Sequence, residues 1–278
     1  MMTPLMAYYR PSTVTEAVTT FRQLRQDGHH PAYWSGGTEI LTRRRLHEIY
    51  PGAVVDIKGI PEVGQHAVHG RDMIFGAGIS LWEIARADYW PLLTATADRV
   101  ADHTSRVQIT LGGNIASHLP YREAVLPWML VDATAWVGTI KGIQTRPFCK
   151  LFDGRLVLAD DEFLVALQVS RDVASFPYTS RKMTRRDWVN YPLVSISATK
   201  DVHTIHAAFS GYALEPFRDD AIDRVLSEED LPYAVRAERA VAAIPRKAIS
   251  DIHGSAAYRK FVTQYTLASI IEVLEGGQ

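Results

Sequence analysis

The chain nearly lacks cysteine: Cys149 stands alone among 278 residues. One thiol excludes an internal disulfide, and it excludes any iron–sulfur cluster or structural zinc site built from this chain's cysteines. An excess of either charge is missing too, since 30 Lys and Arg face 31 Asp and Glu. No global field draws such a chain to nucleic acid or to a membrane surface. The basic runs Arg43-Arg44-Arg45 and Arg185-Arg186 are short and read as solvated faces. No apolar stretch reaches membrane-spanning length, and the stretch from Met1 to Met6 has no signal-peptide character. These absences lead to the expectation of a cytoplasmic protein. The histidines are scattered, and His203 and His206 lie an odd step apart on an expected strand, facing opposite ways. No metal site is expected. A Gly-x-Ser-x-Gly elbow and a Gly-Lys-Ser/Thr phosphate loop are both absent.

What is present is a pair of glycine loops. The first is Tyr33-Trp34-Ser35-Gly36-Gly37-Thr38-Glu39-Ile40, the second Ile109-Thr110-Leu111-Gly112-Gly113-Asn114-Ile115-Ala116. Each follows an apolar, β-like run and opens a segment able to turn helical. Adjacent glycines allow positive φ and bring bare N–H groups close to a ligand. Ser35, Thr38, Thr110 and Asn114 add small polar side chains, which suits an anion held by amides and hydroxyls. Two such loops suggest two phosphates, hence the pyrophosphate of a dinucleotide.

Around the loops the chain reads as mixed helix and strand. Thr13 and Glu16 have capping-box spacing ahead of Val14, Ala17, Val18, Phe21 and Leu24 on one helical face. Strands at Pro31–Trp34 and 52–57 complete a small β–α–β–α–β opening. Gly76-Ala77-Gly78 lacks the third glycine of a Rossmann fingerprint and reads as a strand–turn–helix connection away from the ligand, with Ser80 and Glu83 as a second capping box. A helix is expected over 92–101, then a strand-like approach to the second loop, a helix over 124–130, and strands at 133–139, 145–148 and 163–169. An antiparallel hairpin follows at 193–198 and 202–209. Helices close the chain at 231–243 and 256–274, the last with Tyr258, Phe261, Val262, Tyr265, Ala268 and Ile271 on one face. The acidic groups Asp160-Asp161-Glu162 and Glu228-Glu229-Asp230 read as exposed charge. No acid–base constellation stands out, so a cofactor is expected to carry the chemistry.

The two loops, in this order and with these flanks, resemble the FAD-binding (medium) subunit of the molybdenum hydroxylases, the xanthine dehydrogenase and carbon monoxide dehydrogenase family. Tyr9-Arg10-Pro11-Ser12 looks like its start. Gly76-Ala77-Gly78, Asp161-Glu162-Phe163-Leu164, Arg185-Arg186 and the stretch from Ser250 to Arg259 match as well. The resemblance implies an α+β fold: a two-lobed FAD-binding domain of the PCMH or vanillyl-alcohol oxidase type over 1–175, with lobes of about 1–57 and 58–175. A smaller domain of antiparallel sheet and helices, of the CO dehydrogenase flavoprotein type, follows over 176–278. It implies non-covalent FAD, its diphosphate and ribityl region wrapped by Tyr33, Trp34, Ser35, Gly36, Gly37, Thr38, Glu39 and Ile40. Thr110, Gly113, Asn114 and Ser117 would form a second clamp. Glu123 falls where the family has an aspartate bonding to the cofactor, Leu158 near the adenine, and Tyr191 beside the isoalloxazine, with Lys182 a further candidate. The family has small residues between the second loop and that aspartate, where this chain has the bulkier His118-Leu119-Pro120-Tyr121-Arg122.

The function so implied is electron transfer. A partner iron–sulfur subunit with [2Fe–2S] clusters would supply electrons, a molybdopterin subunit would hydroxylate the substrate, and NAD+ or another acceptor would take the electrons from FAD. Two alternatives stay open: a self-sufficient flavin oxidoreductase of the vanillyl-alcohol oxidase or MurB type, and a flavin-free scaffolding subunit.

Overall fold

A computed structural model describes residues 6–186 and 191–276, so the Met1 to Leu5 part of the N-terminal reading lies outside it. The opening unit runs β1 (Ala7–Tyr9), α1 (Val14–Gln26), β2 (Pro31–Trp34), α2 (Thr38–Arg45) and β3 (Ala53–Asp56). Its three strands form a parallel sheet in the order β1-β3-β2. Thr13 caps α1 by accepting the Glu16 amide at 3.2 Å, while the Glu16 carboxylate turns back to the amide and hydroxyl of Ser12. All five residues of the expected apolar face, Val14, Ala17, Val18, Phe21 and Leu24, are buried.

The second unit is a five-stranded antiparallel sheet, ordered β4-β5-β10-β6-β7. It comprises β4 (His66–His69), β5 (Asp72–Gly76), β6 (Thr134–Thr139), β7 (Gly142–Pro147) and β10 (Phe163–Ser170), with the two-residue strands β8 (Phe152–Asp153) and β9 (Arg155–Leu156) paired apart. Four short helices interrupt it after β5: α3 (Leu81–Ala87), α4 (Pro91–Ala97), α5 (His103–Gln108) and α6 (Leu111–Ala116). Ser80 and Glu83 make the expected capping box on α3. The approach to the second loop is helical rather than strand-like, because Asp102 accepts the Ser105 amide at 2.7 Å and caps α5. The stretch expected as a helix over 124–130 is a 3-10 helix, Glu123–Met129, with Pro127 inside it. Its Trp128 meets Phe75 and Trp90 edge-on at 5.4 and 5.0 Å, filling the space between sheet and helices. The acidic group at 160–162 is paired rather than merely solvated: Arg22 with Asp161, Arg25 with Asp160, and Arg146 with Glu162.

The third unit pairs β11 (Tyr178–Thr184), β12 (Pro192–Lys200), β13 (Ile205–Ser210) and β14 (Phe217–Arg218) in an antiparallel sheet of that order. Helices α7 (Asp220–Leu226), α8 (Tyr233–Ala243) and α9 (Ala256–Leu274) cover it. The α9 face departs from expectation. It buries Arg259, Val262, Thr263, Thr266, Leu267, Ile270, Ile271 and Leu274, while Tyr258, Phe261 and Tyr265 are exposed. The aromatic spacing is equally helical on either face, and only packing against β12 chooses between them. Ile270→Ala should therefore cost about 2–5 kcal/mol in urea unfolding, and Phe261→Ala no more than about 0.5 kcal/mol.

His206 on β13 is held between Asp223 (2.9 Å) and Asp201 (3.1 Å), and Asp223 also takes Arg218 at 2.8 Å. The hydrogen bond to Asp223 raises its pKa above the ordinary 6.5, against burial, with Asp201 adding to the rise. A histidine that holds its proton more tightly when folded adds stability below the unfolded pKa and gives it up as pH rises through the raised value. Unfolding free energy should thus fall above about pH 6.5, and His206→Gln should remove that part of the pH dependence.

Candidate site where three turns meet

Three turns from different parts of the chain meet backbone to backbone. The turn after β5 and the second glycine loop are joined by the bonds Gly112 N–H to Ala77 O (2.8 Å), Leu111 N–H to Ile79 O (2.9 Å) and Leu81 N–H to Ile109 O (2.9 Å). The first loop lies against the second so closely that a Cβ on Gly36 would stand 2.1 Å from the Gln108 carbonyl oxygen. A Cβ on Gly112 would stand 2.6 Å from that of Ala77. Gly78, expected away from the ligand, sits beside the first loop: a Cβ there would be 3.6 Å from Ser35 Oγ and 2.7 Å from Val63 Cγ1.

In the first loop Gly37 has φ +71° and a Cβ there would lie 2.2 Å from the Trp34 ring, so the turn into α2 demands glycine on two counts. No side chain caps α2. Among the described residues no acceptor takes the amides of Gly36 and Gly37, and the buried Ser35 Oγ has no partner. Lys58, which sequence reasoning missed, donates to the Ser35 carbonyl at 2.8 Å and to Asp56 at 2.9 Å, anchoring the loop to the end of β3. Thr38 is exposed and Ile40 half-buried. Tyr33 is different in kind: it stacks on Phe21 (4.4 Å), meets a tilted Phe163 ring (4.6 Å) and donates its hydroxyl to the Asp161 carbonyl, which makes it packing for the loop's strand.

The second loop is internally satisfied. Thr110 caps α6 by accepting the Gly113 amide at 3.2 Å, Asn114 Oδ1 accepts the Ala124 amide at 3.1 Å, and Ser117 Oγ accepts the Leu119 amide at 3.0 Å. Glu39 ties the two loops by accepting the His118 amide at 3.1 Å. Glu123 is buried and faces Lys182 Nζ at 3.6 Å, and Lys182 also donates to the Arg99 carbonyl. Burial pushes the Glu123 carboxyl up and the Lys182 ammonium down, each against the pull of the other. Leu158 is half-buried against the central core, and Tyr191 is half-exposed, stacked on Tyr121. The two bulky residues ahead of Glu123 find different partners. Tyr121 turns to Tyr191, and Arg122 is buried over the Phe152 ring with one bond to the Gly154 carbonyl. Burial lowers the Arg122 pKa to about 10, and its Nε and Nη1 have no partner among the described residues.

Residues 4–171 match the family described as the FAD binding domain in molybdopterin dehydrogenase. The chain belongs to this family. The chain is 26% identical to the carbon monoxide dehydrogenase medium chain of Hydrogenophaga pseudoflava over 93% of each sequence. It is 24% identical to the nicotine 6-hydroxylase medium subunit of Paenarthrobacter nicotinovorans over 95% of each. The fold matches a solved carbon monoxide dehydrogenase of Hydrogenophaga pseudoflava with TM-score 0.86 and 23% identity over 99% of both chains. Quinoline 2-oxidoreductase of Pseudomonas putida 86 matches with the same TM-score, at 20% identity, over 100% of this chain and 99% of that one. Within the family's FAD-binding domain, the unpartnered Ser35 Oγ and the bare amides of Gly36 and Gly37 fit a diphosphate, which needs donors that the chain has not already used.

The close approach of the turns has a measurable cost. Gly36→Ala and Gly112→Ala should each destabilise the protein by about 1–3 kcal/mol in urea unfolding, since each methyl meets fixed backbone. Gly64→Ala, with open space around its Cβ and φ outside the left-handed region, should be neutral or mildly stabilising.

Proposed function

We propose that the chain is the electron-transfer subunit of a molybdenum hydroxylase complex and holds one non-covalent FAD on its two glycine loops. The observation that carries this is the first loop, with unused donors at Ser35, Gly36 and Gly37 beside a second loop that is already satisfied. On this reading Ser35 to Thr38 bind the diphosphate and Trp34, Glu39 and Ile40 flank it, while Tyr33 braces the strand beneath. Thr110, Gly113, Asn114 and Ser117 shape the facing wall. Glu123 and Lys182 stand at the inner end as a coupled pair, Leu158 packs near the adenine, and Tyr191 lies beside the isoalloxazine.

The chain's own residues bind and orient. Lys58 holds the Ser35 carbonyl, Gly37 enters α2 through positive φ, and Glu39 ties the loops together through the His118 amide. FAD held on these residues would supply the redox chemistry, as a group able to store two electrons between donor and acceptor. A single cysteine leaves no cluster of its own, so the electrons come from a partner iron–sulfur subunit, and hydroxylation belongs to a molybdopterin subunit. NAD+ or another acceptor completes the transfer. The reading includes a cytoplasmic location, and no described helix is long and apolar enough to cross a membrane. It also divides the chain at 175/176, after the turn that ends β10.

Ser35→Ala removes only an unpartnered hydroxyl. It should leave unfolding stability within about 0.5 kcal/mol and weaken FAD binding several-fold by fluorescence titration. Gly37→Val should lower bound FAD roughly tenfold or more, with circular dichroism reporting the fold. Acid precipitation of the loaded protein should leave no flavin in the pellet; flavin retained there marks covalent attachment and the oxidase alternative. Wild-type protein that binds no FAD at all leaves only the scaffolding alternative.

A further inference from the structure

Outside the loops, three distant segments converge on a ring cluster that the site described above does not use in full. Tyr121, Tyr191 and His253 come from the stretch after α6, the residue before β12 and the segment before α9. The Tyr121 and Tyr191 rings stack at 4.7 Å and 23°, and His253 sets its edge to both, at 6.1 and 6.0 Å. Tyr121 donates its hydroxyl to Asp251 Oδ2 at 2.8 Å. Asp251 Oδ1 in turn accepts the amides of His253 (2.8 Å) and Gly254 (3.2 Å) and the Arg259 guanidinium (2.6 Å). Arg259 is fully buried and also donates to the Gly211 and Leu193 carbonyls, so this anchor is fixed in the C-terminal core. Burial would raise the Asp251 pKa, but the bonds from Tyr121, His253 and Arg259 bring it down to about 2. Burial and Asp251 raise that of Tyr121 to about 12, so carboxylate and phenol keep these forms at neutral pH.

The arrangement is graded in exposure. Tyr121 is half-buried and tethered, whereas Tyr191 is 50% exposed with the Tyr121 ring stacked on it. A ring held flat by a second ring presents a pre-oriented π surface, which favours an offset-stacked planar ligand. Its position fits that role: Tyr121 is four residues past Ser117, on a strand of chain whose His118 amide is held by Glu39 of α2. The Glu39 bond therefore ties the segment that carries Tyr121 to the helix that the first loop opens.

We propose that Tyr121, fixed by Asp251 and Arg259, is a positioning residue that backs the Tyr191 ring so that its outer face lies against the isoalloxazine of FAD. This rests on the FAD reading above. It gives the bulky Tyr121 a role in place of a small residue, and it makes the flavin ring's seat a joint product of the second loop and the C-terminal unit.

The test uses the FAD-loaded protein isolated with its partner subunits and reads the emission of bound flavin, which a stacked phenol ring quenches. Tyr191→Leu should brighten bound flavin several-fold. Tyr121→Leu should brighten it also, although Tyr191 is intact, and Tyr121→Phe should restore most of the quenching by restoring the backing ring. A purely structural Tyr121 would lower stability without changing emission per bound flavin. Wild-type emission in Tyr121→Leu, with FAD at full occupancy, overturns the proposal, as does wild-type emission in Tyr191→Leu. If Tyr121→Leu does not fold, Tyr121→Met keeps an apolar side chain of similar bulk without a ring, and unchanged emission there overturns the proposal equally. Wild-type protein without FAD is a separate outcome: it removes the FAD reading, and the proposal with it.

Discussion

Backbone meeting backbone at Gly36, Gly76 and Gly112 is the constraint on which the rest of the structure depends. A Cβ on Gly76 would sit 2.2 Å from the Val63 carbonyl oxygen, just as one on Gly36 would meet Gln108. With no side chains between them, the turn after β5 and the second loop share backbone hydrogen bonds, and the first loop packs directly against the second. The amides of Gly112 and Leu111 go into those bonds, so they are not available to a ligand. The amides of Gly36 and Gly37 are not used there. The division of labour follows from it: one loop is scaffold, the other presents donors.

Charge is handled differently in the interior. Arg236 is fully buried and ties α8 to the end of α7 through the Leu226 carbonyl (2.8 Å) and to the end of α9 through Glu275 (2.6 Å). Arg259 does the same for the segment ahead of α9. Both guanidiniums are met by carbonyls and a carboxylate, the condition under which a buried cation is tolerated. The Glu123–Lys182 pair joins the 3-10 helix to β11, and Ser210 Oγ accepts the Arg122 amide and donates to the Pro120 carbonyl. The second loop's continuation is thus pinned to the C-terminal sheet by polar contacts, and the ring stack of Tyr121 on Tyr191 grows from that seam. Arg122 is met least fully of the three: among the described residues its Nε and Nη1 lack partners, where Arg259 lacks one only at Nε.

Much of this was legible in the residues, for local reasons. The α1 face, the Ser80–Glu83 capping box, the opening β–α–β–α–β unit and the β12–β13 hairpin depend on spacing within a few residues and all formed, although β13 starts at Ile205 and leaves His203 in the turn that Asp201 holds, not on the strand. The approach to the second loop did not, because the Asp102 cap outweighed an apolar pattern over too short a stretch to decide. The exposed face of α9 was not legible either: Tyr258, Phe261 and Tyr265 obey the same periodicity as a buried stripe. Lys58 gave no signal at all, since nothing in a lone lysine after a strand tells that it will reach the carbonyl of Ser35, 23 residues earlier.

The sequence by itself determined the family, the two loops and their glycines, and the absence of cysteines for a cluster in this chain. These are properties of residue identity and order, which folding does not alter. Only the tertiary structure decided which loop keeps free donors, that Gly78 stands beside Ser35, that Glu123 faces Lys182, and that Tyr121 turns away to stack on Tyr191. Each of these is a contact between residues far apart in the chain. Such contacts are settled by which surfaces can close without a steric clash or a stranded polar group, and that balance exists only once the sheets and helices have packed.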